Sequence, residues 1–255
     1  MRLAFRFRLI PFIATVLLVV LGIALGNWQT RRAGEKLAIA ARVAERGAAA
    51  PVMFDAAAAQ GLDRVEPGLQ PTDIGQLEYR RVRLMGEFVA SWPLFLENRP
   101  YNGRAGFYLA MPFKIAGSQL HVMVLRGWLP RDPVEYARLP EFSTPPGTVE
   151  IEGVVVGNAG HVMQLGTPGP VTPGARVQNL AVEEVARASG LRFTSLFVQQ
   201  TGPARTGEHL VRDWPAPSTG VDKHRGYAFQ WYALAAMAAL FFVITGFRSG
   251  RKQVV

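Results

Sequence analysis

The chain of 255 residues carries a formal charge of +9 and no cysteine. That length suits one domain of ordinary size plus appendages, and the missing cysteines exclude disulfides and thiolate-held zinc, copper or iron–sulfur centres. The charge is segregated: residues 1–49 hold eight Lys/Arg against two acids (+6), residues 50–222 fifteen against seventeen (−2), and residues 223–255 five against none (+5). A nearly neutral middle between basic ends suits a membrane surface with anionic head groups, not nucleic acid.

Two uncharged runs mark the ends. Leu9 to Leu25 (LIPFIATVLLVVLGIAL) covers about 17 residues, with Pro11 in the first turn, where a missing N–H costs little. Tyr227 to Phe247 covers about 21 residues, roughly 31 Å as a helix and close to the hydrocarbon thickness of a bilayer. Both read as transmembrane helices. Arg2, Arg6 and Arg8, with Ala24-Leu25-Gly26 at the far end, also fit a cleavable signal peptide. The run is long for that role and is read as retained. Basic residues flank both spans on both sides (Arg31, Arg32 and Lys36; Lys223 and Arg225; Arg248, Arg251 and Lys252), so charge alone leaves the side of the intervening domain open.

After the first span, Trp28 stands as an interfacial aromatic, and helix-forming residues predict that the helix continues to about Arg46. Residues 50–78, with Pro51, Pro67 and Pro71, read as a loop-rich connection. From Tyr79 the period becomes two: in YRRVRLMGEFV, Val82, Leu84 and Phe88 share one face and Arg81, Arg83 and Glu87 the other. PLFLENRPY and AGFYLAMPFKI follow, joined by a hairpin-type turn at Asn102-Gly103. QLHVMVLRGWLP, apolar on both faces, reads as a central strand ending at Pro130, and TVEIEGVVVG as a further strand. NLAVEEVARASG predicts a short helix capped by Asn179 and Gly190. RFTSLFVQQT is the last strand, and Pro215 to Gly220 is a turn-rich approach to the second span.

The expected fold is α+β: two transmembrane helices at the chain ends flanking a mostly antiparallel β-barrel or sandwich with one short helix. Its expected parts are an N-terminal segment (1–8), a first span (9–26), a β-rich domain (27–226) opening with a helical extension (27–46), a second span (227–247) and a tail (248–255).

The chain lacks a Gly-x-Ser-x-Gly elbow, a phosphate-cradling glycine loop and a His-Glu-x-x-His pair. Glu183 and Glu184 are adjacent on a predicted helix and read as a solvated face; Tyr79–Leu84 (YRRVRL) reads as a charged strand face. His121 falls in a strand, and His161 and His209 in glycine-rich surroundings, all as structural or surface residues. His224 differs: with Tyr227, Ala228 and Trp231 it lies at i, i+3, i+4 and i+7, an imidazole at the water boundary above an aromatic floor. That face fits a flat ring system whose metal takes an imidazole, as in haem, and equally an ordinary interfacial histidine in an aromatic belt.

LGNWQTRR with Lys36, YRRVRLMGEF, LENRPYNGRAGFYLAMPF, VLRGWLPRD and HRGYAFQWYALA, in this order between two terminal spans, make the chain resemble the Surfeit-locus family of cytochrome c oxidase assembly factors. The resemblance implies a two-pass protein of a bacterial inner membrane, with a periplasmic main domain and cytoplasmic termini. It implies an assembly role without enzyme activity: maturing subunit I of a haem-copper oxidase, next to haem a synthase, by delivering or stabilising haem a. His224 is then the haem contact and iron ligand, Tyr227 and Trp231 pack the macrocycle, and Trp28 and Gln29 form a facing wall. Asp222-Lys223 and Arg225-Gly226 depart from the Asn-Asn and Leu-Gln frequent in relatives; Lys223 and Arg225 suit haem propionates. Two further readings stand beside this one: a scaffold that holds subunit I without haem, and a membrane-anchored enzyme.

Overall fold

The computed structural model describes residues 5–60, 74–215 and 220–251. Part of the loop expected over 50–78 (61–73), most of the expected turn before the second span (216–219), and Arg2 and Lys252 lie outside the described residues. In chain order the elements are α1 (Leu9–Ala48), β1 (Val52–Met53), α2 (Ala56–Gln60), α3 (Ile74–Leu77), β2 (Arg81–Phe88), β3 (Leu94–Leu96) and β4 (Gly106–Ile115). They continue with β5 (Leu120–Pro130), β6 (Val149–Val156), β7 (Arg176–Val177), α4 (Val182–Ser189), β8 (Arg192–Gln200) and α5 (Val221–Arg251). The chain forms two compact units, Met1–Arg42 with Ala216–Val255, and Val43–Pro215.

In the second unit, β2, β6, β8, β5 and β4 pair in turn, and β4 pairs back to β2, closing a five-stranded barrel. Barrel and sandwich were both open from the sequence; closure decides for the barrel. Gly86 shows how the ring closes. It is the last β2 residue paired with β6 (to Val149) and the first paired with β4 (to Ile115), and a Cβ there would overlap the Lys114 carbonyl oxygen. Only glycine lets the strand change partners at that spacing. The sheet is mixed, since β5–β8, β1–β2 and β3–β7 run parallel.

The period-two reading of β2 holds: Val82, Leu84 and Phe88 point inward and Arg81, Arg83 and Glu87 outward. The outward arginines are paired, with Arg83 Nε 2.6 Å from Glu152 on β6 and Arg81 3.7 Å from the same carboxylate. β5 is buried on both faces. Val122, Val124 and Leu120 join the barrel interior with Leu109, Phe113 and Leu196, while Met123 and Leu125 join an outer cluster with Val182 and Val185 of α4. Asn102 (φ 47°) and Gly103 (φ 75°) both have positive φ, as a two-residue type I′ hairpin turn requires.

Helix α4 ends as expected on Gly190, at φ 71° with its N–H bonded to the Ala186 carbonyl. Its start differs: Ala181 is the N-cap, without a side-chain bond. Asn179 is drawn away by another task, accepting from the Val162 N–H and donating to the Val162 carbonyl (2.9 and 3.0 Å). Glu183 and Glu184 are exposed, as read.

In the first unit α1 and α5 run antiparallel. Arg6 N–H bonds the Gly246 carbonyl near one end (3.1 Å) and Gln29 bonds His224 near the other. Both helices continue past their apolar runs, α1 to Ala48 and α5 back to Val221. Gly22, Gly26, Gln29 and Ala33 of α1 and Ala228 and Ala235 of α5 are buried where the helices meet. Leu17, Leu18, Leu21, Phe229 and Phe241 are turned outward and exposed. Backbone satisfied within each helix and apolar side chains on the outside are what a lipid environment demands.

Candidate functional site at the helix pair

The close approach of α1 and α5 has a simple cause. Gly22 and Gly26, separated by three residues, remove side chains from the meeting face. A Cβ on Gly22 would lie 2.9 Å from both Ala235 Cβ and the Trp231 carbonyl oxygen, and one on Gly26 would lie 2.5 Å from the Tyr232 ring. With the backbones this near, Gln29, one turn beyond Gly26, reaches His224.

The His224 Nδ1 and Gln29 Oε1 are 2.7 Å apart. A carboxamide oxygen only accepts, so Nδ1 carries the proton and donates, and in an uncharged imidazole the lone pair then lies on Nε2. This arrangement defines tautomer and ring direction together. Metal-bound histidines use the same device, a second-sphere acceptor on one nitrogen while the other binds. Gln29 is buried (9 % exposed) and His224 half-buried.

The remaining predicted residues fall differently. Trp231 is half-buried and lies two turns along α5 from His224; Tyr227 is 52 % exposed on the same side. Trp28 is 46 % exposed and neighbours Gln29 on α1. Of the five residues, the structure brings His224 and Gln29 into contact. Lys223 and Arg225 are exposed beside the ring, with Arg225 3.9 Å from Asp222.

A polar cluster unread in the sequence lies on the other flank of α5. The Tyr232 hydroxyl donates to Asn27 Oδ1 (2.8 Å) and lies 3.3 Å from Thr30 Oγ1. The signal was present in GIALG (Gly22 to Gly26), a glycine pair at the spacing that brings membrane helices together. It places α5 residues against the Gly26 turn, and Tyr232 is one of them.

In the barrel, the residue motifs quoted above have structural employment. The buried Arg99 donates to the carbonyls of Glu97, Gly160 and Gln178 (2.9–3.1 Å). Trp128 donates Nε1–H to the Arg99 carbonyl at 2.6 Å. Arg126, 0 % exposed, binds Glu208 at 2.8 Å; Arg212 binds the other Glu208 oxygen at 2.6 Å. Burial pushes both guanidinium pKa values below the ordinary arginine value, and the Glu208 charge opposes that shift. His121 is buried in β5, donating Nδ1–H to the Arg192 carbonyl at 3.0 Å. Among the described residues no group of three or more His, Asp or Glu is arranged to hold a metal ion.

Fold and site together define a membrane protein in which a pair of apolar helices accompanies a closed β-barrel unit. The sequence profile of the SURF1 family matches residues 16–236, most of the chain, and the chain belongs to that family. The family is one of assembly factors associated with cytochrome oxidase. No curated protein matches the chain.

Proposed function

We propose that the protein receives haem a at the His224 end of the helix pair and holds it for the maturation of subunit I of a haem-copper oxidase. The observation that carries this reading is the His224–Gln29 bond, which engages Nδ1 and leaves Nε2 as the nitrogen directed towards a ligand. Haem would supply an iron that takes an imidazole ligand, and Nε2 of His224 would hold it. Tyr227 and Trp231 offer aromatic surface beside the ring, and Lys223 and Arg225 offer cations for the propionates. Trp28, next to Gln29 on α1, adds aromatic surface as the facing wall. In this reading the chain lies in a bacterial inner membrane with the barrel in the periplasm and both termini in the cytoplasm, and the barrel docks subunit I close to haem a synthase.

The test is an optical spectrum of the detergent-purified protein co-expressed with haem a synthesis enzymes, wild type beside His224→Ala. A stoichiometric haem signal lost in the variant, with protein yield unchanged, is the expected result. Absence of haem from both proteins, with synthesis confirmed, overturns the reading and leaves a scaffold that holds subunit I without haem. Gln29→Leu is expected to weaken binding about 10- to 100-fold while retaining it, as loss of a second-sphere acceptor does at other metal sites.

A further inference from the structure

Below His224 the helix pair carries an apolar groove of about 610 Å³, lined on α1 by Leu18, Leu21 and Gly22 and on α5 by residues from Trp231 to Ile244. Part of its α5 wall, Trp231, Leu234, Ala238 and Phe241, shares a stripe with the histidine, while Met237, Leu240 and Ile244 carry the groove around the helix. His224, Tyr227, Trp231, Leu234, Ala238 and Phe241 stand at i, i+3, i+7, i+10, i+14 and i+17, one side of the helix. Trp231 thus stands on the stripe that carries the histidine and also lines the end of the groove nearest to it. The hollow exists because Gly22 and Ala238 are small between the larger Leu18, Leu21, Leu234 and Phe241. The Tyr232–Asn27–Thr30 cluster lies on the opposite flank of α5, so no hydroxyl or amide of that cluster enters it.

Resting on the haem reading above, we propose that this groove seats the farnesyl tail of the haem, making the helix pair selective for farnesylated haems (a and o) over haem b. Three features single out this occupant. The groove begins at Trp231, seven positions and about 10 Å along the axis from His224, so it opens where the edge of a macrocycle standing on the imidazole ends. From Trp231 to Ile244 it runs thirteen positions, about 20 Å, enough for an extended tail of three isoprene units. Its lining is aliphatic and aromatic throughout, with the branched and polarisable side chains Leu234, Met237 and Phe241 against which a methyl-branched chain packs. A membrane lipid chain shares the apolar chemistry but has no link to the imidazole; a haem tail is tethered there by the ring itself, which raises its effective concentration in the groove.

The experiment is an absorbance titration of the full-length apoprotein in lipid nanodiscs with haem b and with haem o, which carries a hydroxyethylfarnesyl group where haem b has a vinyl. Haem o is expected to bind about tenfold more tightly than haem b, a difference of about 1.4 kcal/mol. Ala238→Trp, which fills the groove, is expected to bring the two affinities together without changing that for haem b, and His224→Ala to abolish both. Equal affinities in the wild type, with both lost in His224→Ala, overturn the tail site and leave the haem reading standing. No binding of either haem removes both. A haem o preference unchanged in a correctly folded Ala238→Trp overturns the location, and oxidase assembly lost in that variant at unchanged affinities assigns the groove to a partner helix instead. The wild-type comparison needs no variant, so misfolding of Ala238→Trp does not shelter the proposal.

Discussion

The barrel and the helix pair solve opposite packing problems. In the barrel, Leu109, Phe113 and Val124 are wholly buried and the charged residues of β2 look outward. In the pair, Leu17, Leu21 and Phe241 are exposed, and the meeting face holds glycine, alanine and a few polar groups. In water, folding removes large apolar side chains from solvent; in lipid such side chains gain nothing by leaving the surface, and association depends on close backbone approach. The consequence is a reversal of sensitivities: the barrel is injured by losing volume or breaking buried charge pairs, and the pair by gaining volume.

The largest expected effect is in the barrel. Glu208→Ala removes the shared partner of Arg126 and Arg212 and leaves two buried guanidinium groups facing one another. Breaking a buried ion pair from one side costs about 3–5 kcal/mol. Thermal unfolding of the detergent-purified full chain should show a large fall in Tm or no folded protein; an unchanged Tm would mean that the triad is not holding the barrel end. Next comes a matched pair of truncations. Leu109→Ala in the barrel interior should cost about 2–5 kcal/mol, while Leu17→Ala, on the outer face of α1, should be nearly neutral. Comparable losses at both positions would contradict the reversal.

These two regions also differ in how far the sequence revealed them. The period of two in β2, the double-faced burial of β5 and the Asn102-Gly103 turn were all readable, because each depends on neighbours along the chain. Closure into a barrel was not, because it depends on Gly86 meeting Ile115, two residues whose pairing no local pattern records. Arg99 and Arg126 read as motif residues and gained their meaning only when Gly160, Gln178 and Glu208 were folded around them. At the site, helix periodicity placed His224 with Trp231, but the Gln29 contact needed the register of two helices separated by almost the whole chain. Asn179 is the converse case: its capping position was legible, yet a nonlocal bond to Val162 took the side chain.

In the helix pair, Gly26→Leu is the counterpart of a cavity mutation. The added side chain would enter the space of the Tyr232 ring, and overpacking of this kind costs about 1–3 kcal/mol. The cysteine-free chain gives a direct readout. Gln29→Cys with His224→Cys places two thiols where the native side chains touch, and a short bifunctional maleimide should join them efficiently. Adding Gly26→Leu should lower the yield several-fold with no change in barrel stability. An unaltered yield would show that the glycines do not set the helix spacing.

The smallest effect concerns pH and belongs to the barrel alone. His121 is held below its ordinary value of 6.5, first by burial and further by the charge of Lys114, with the Arg192 carbonyl acting the other way. Unfolded, the same imidazole takes up its proton near 6.5, so between the two values the unfolded chain binds more protons than the folded one. Stability from this residue is therefore complete above pH 6.5 and is lost as the pH falls towards the folded value, below which the loss levels off. His121→Gln sacrifices some stability at all pH values, since the Arg192 carbonyl loses an optimally placed donor, but it removes this titration. The expected outcome is a smaller fall in Tm between about pH 7.5 and about pH 5.5 in the variant than in the wild type. Because His161, His209 and His224 are unchanged, the difference between the two slopes isolates His121, and parallel slopes would mean that the strand opens enough to let the ring protonate in place.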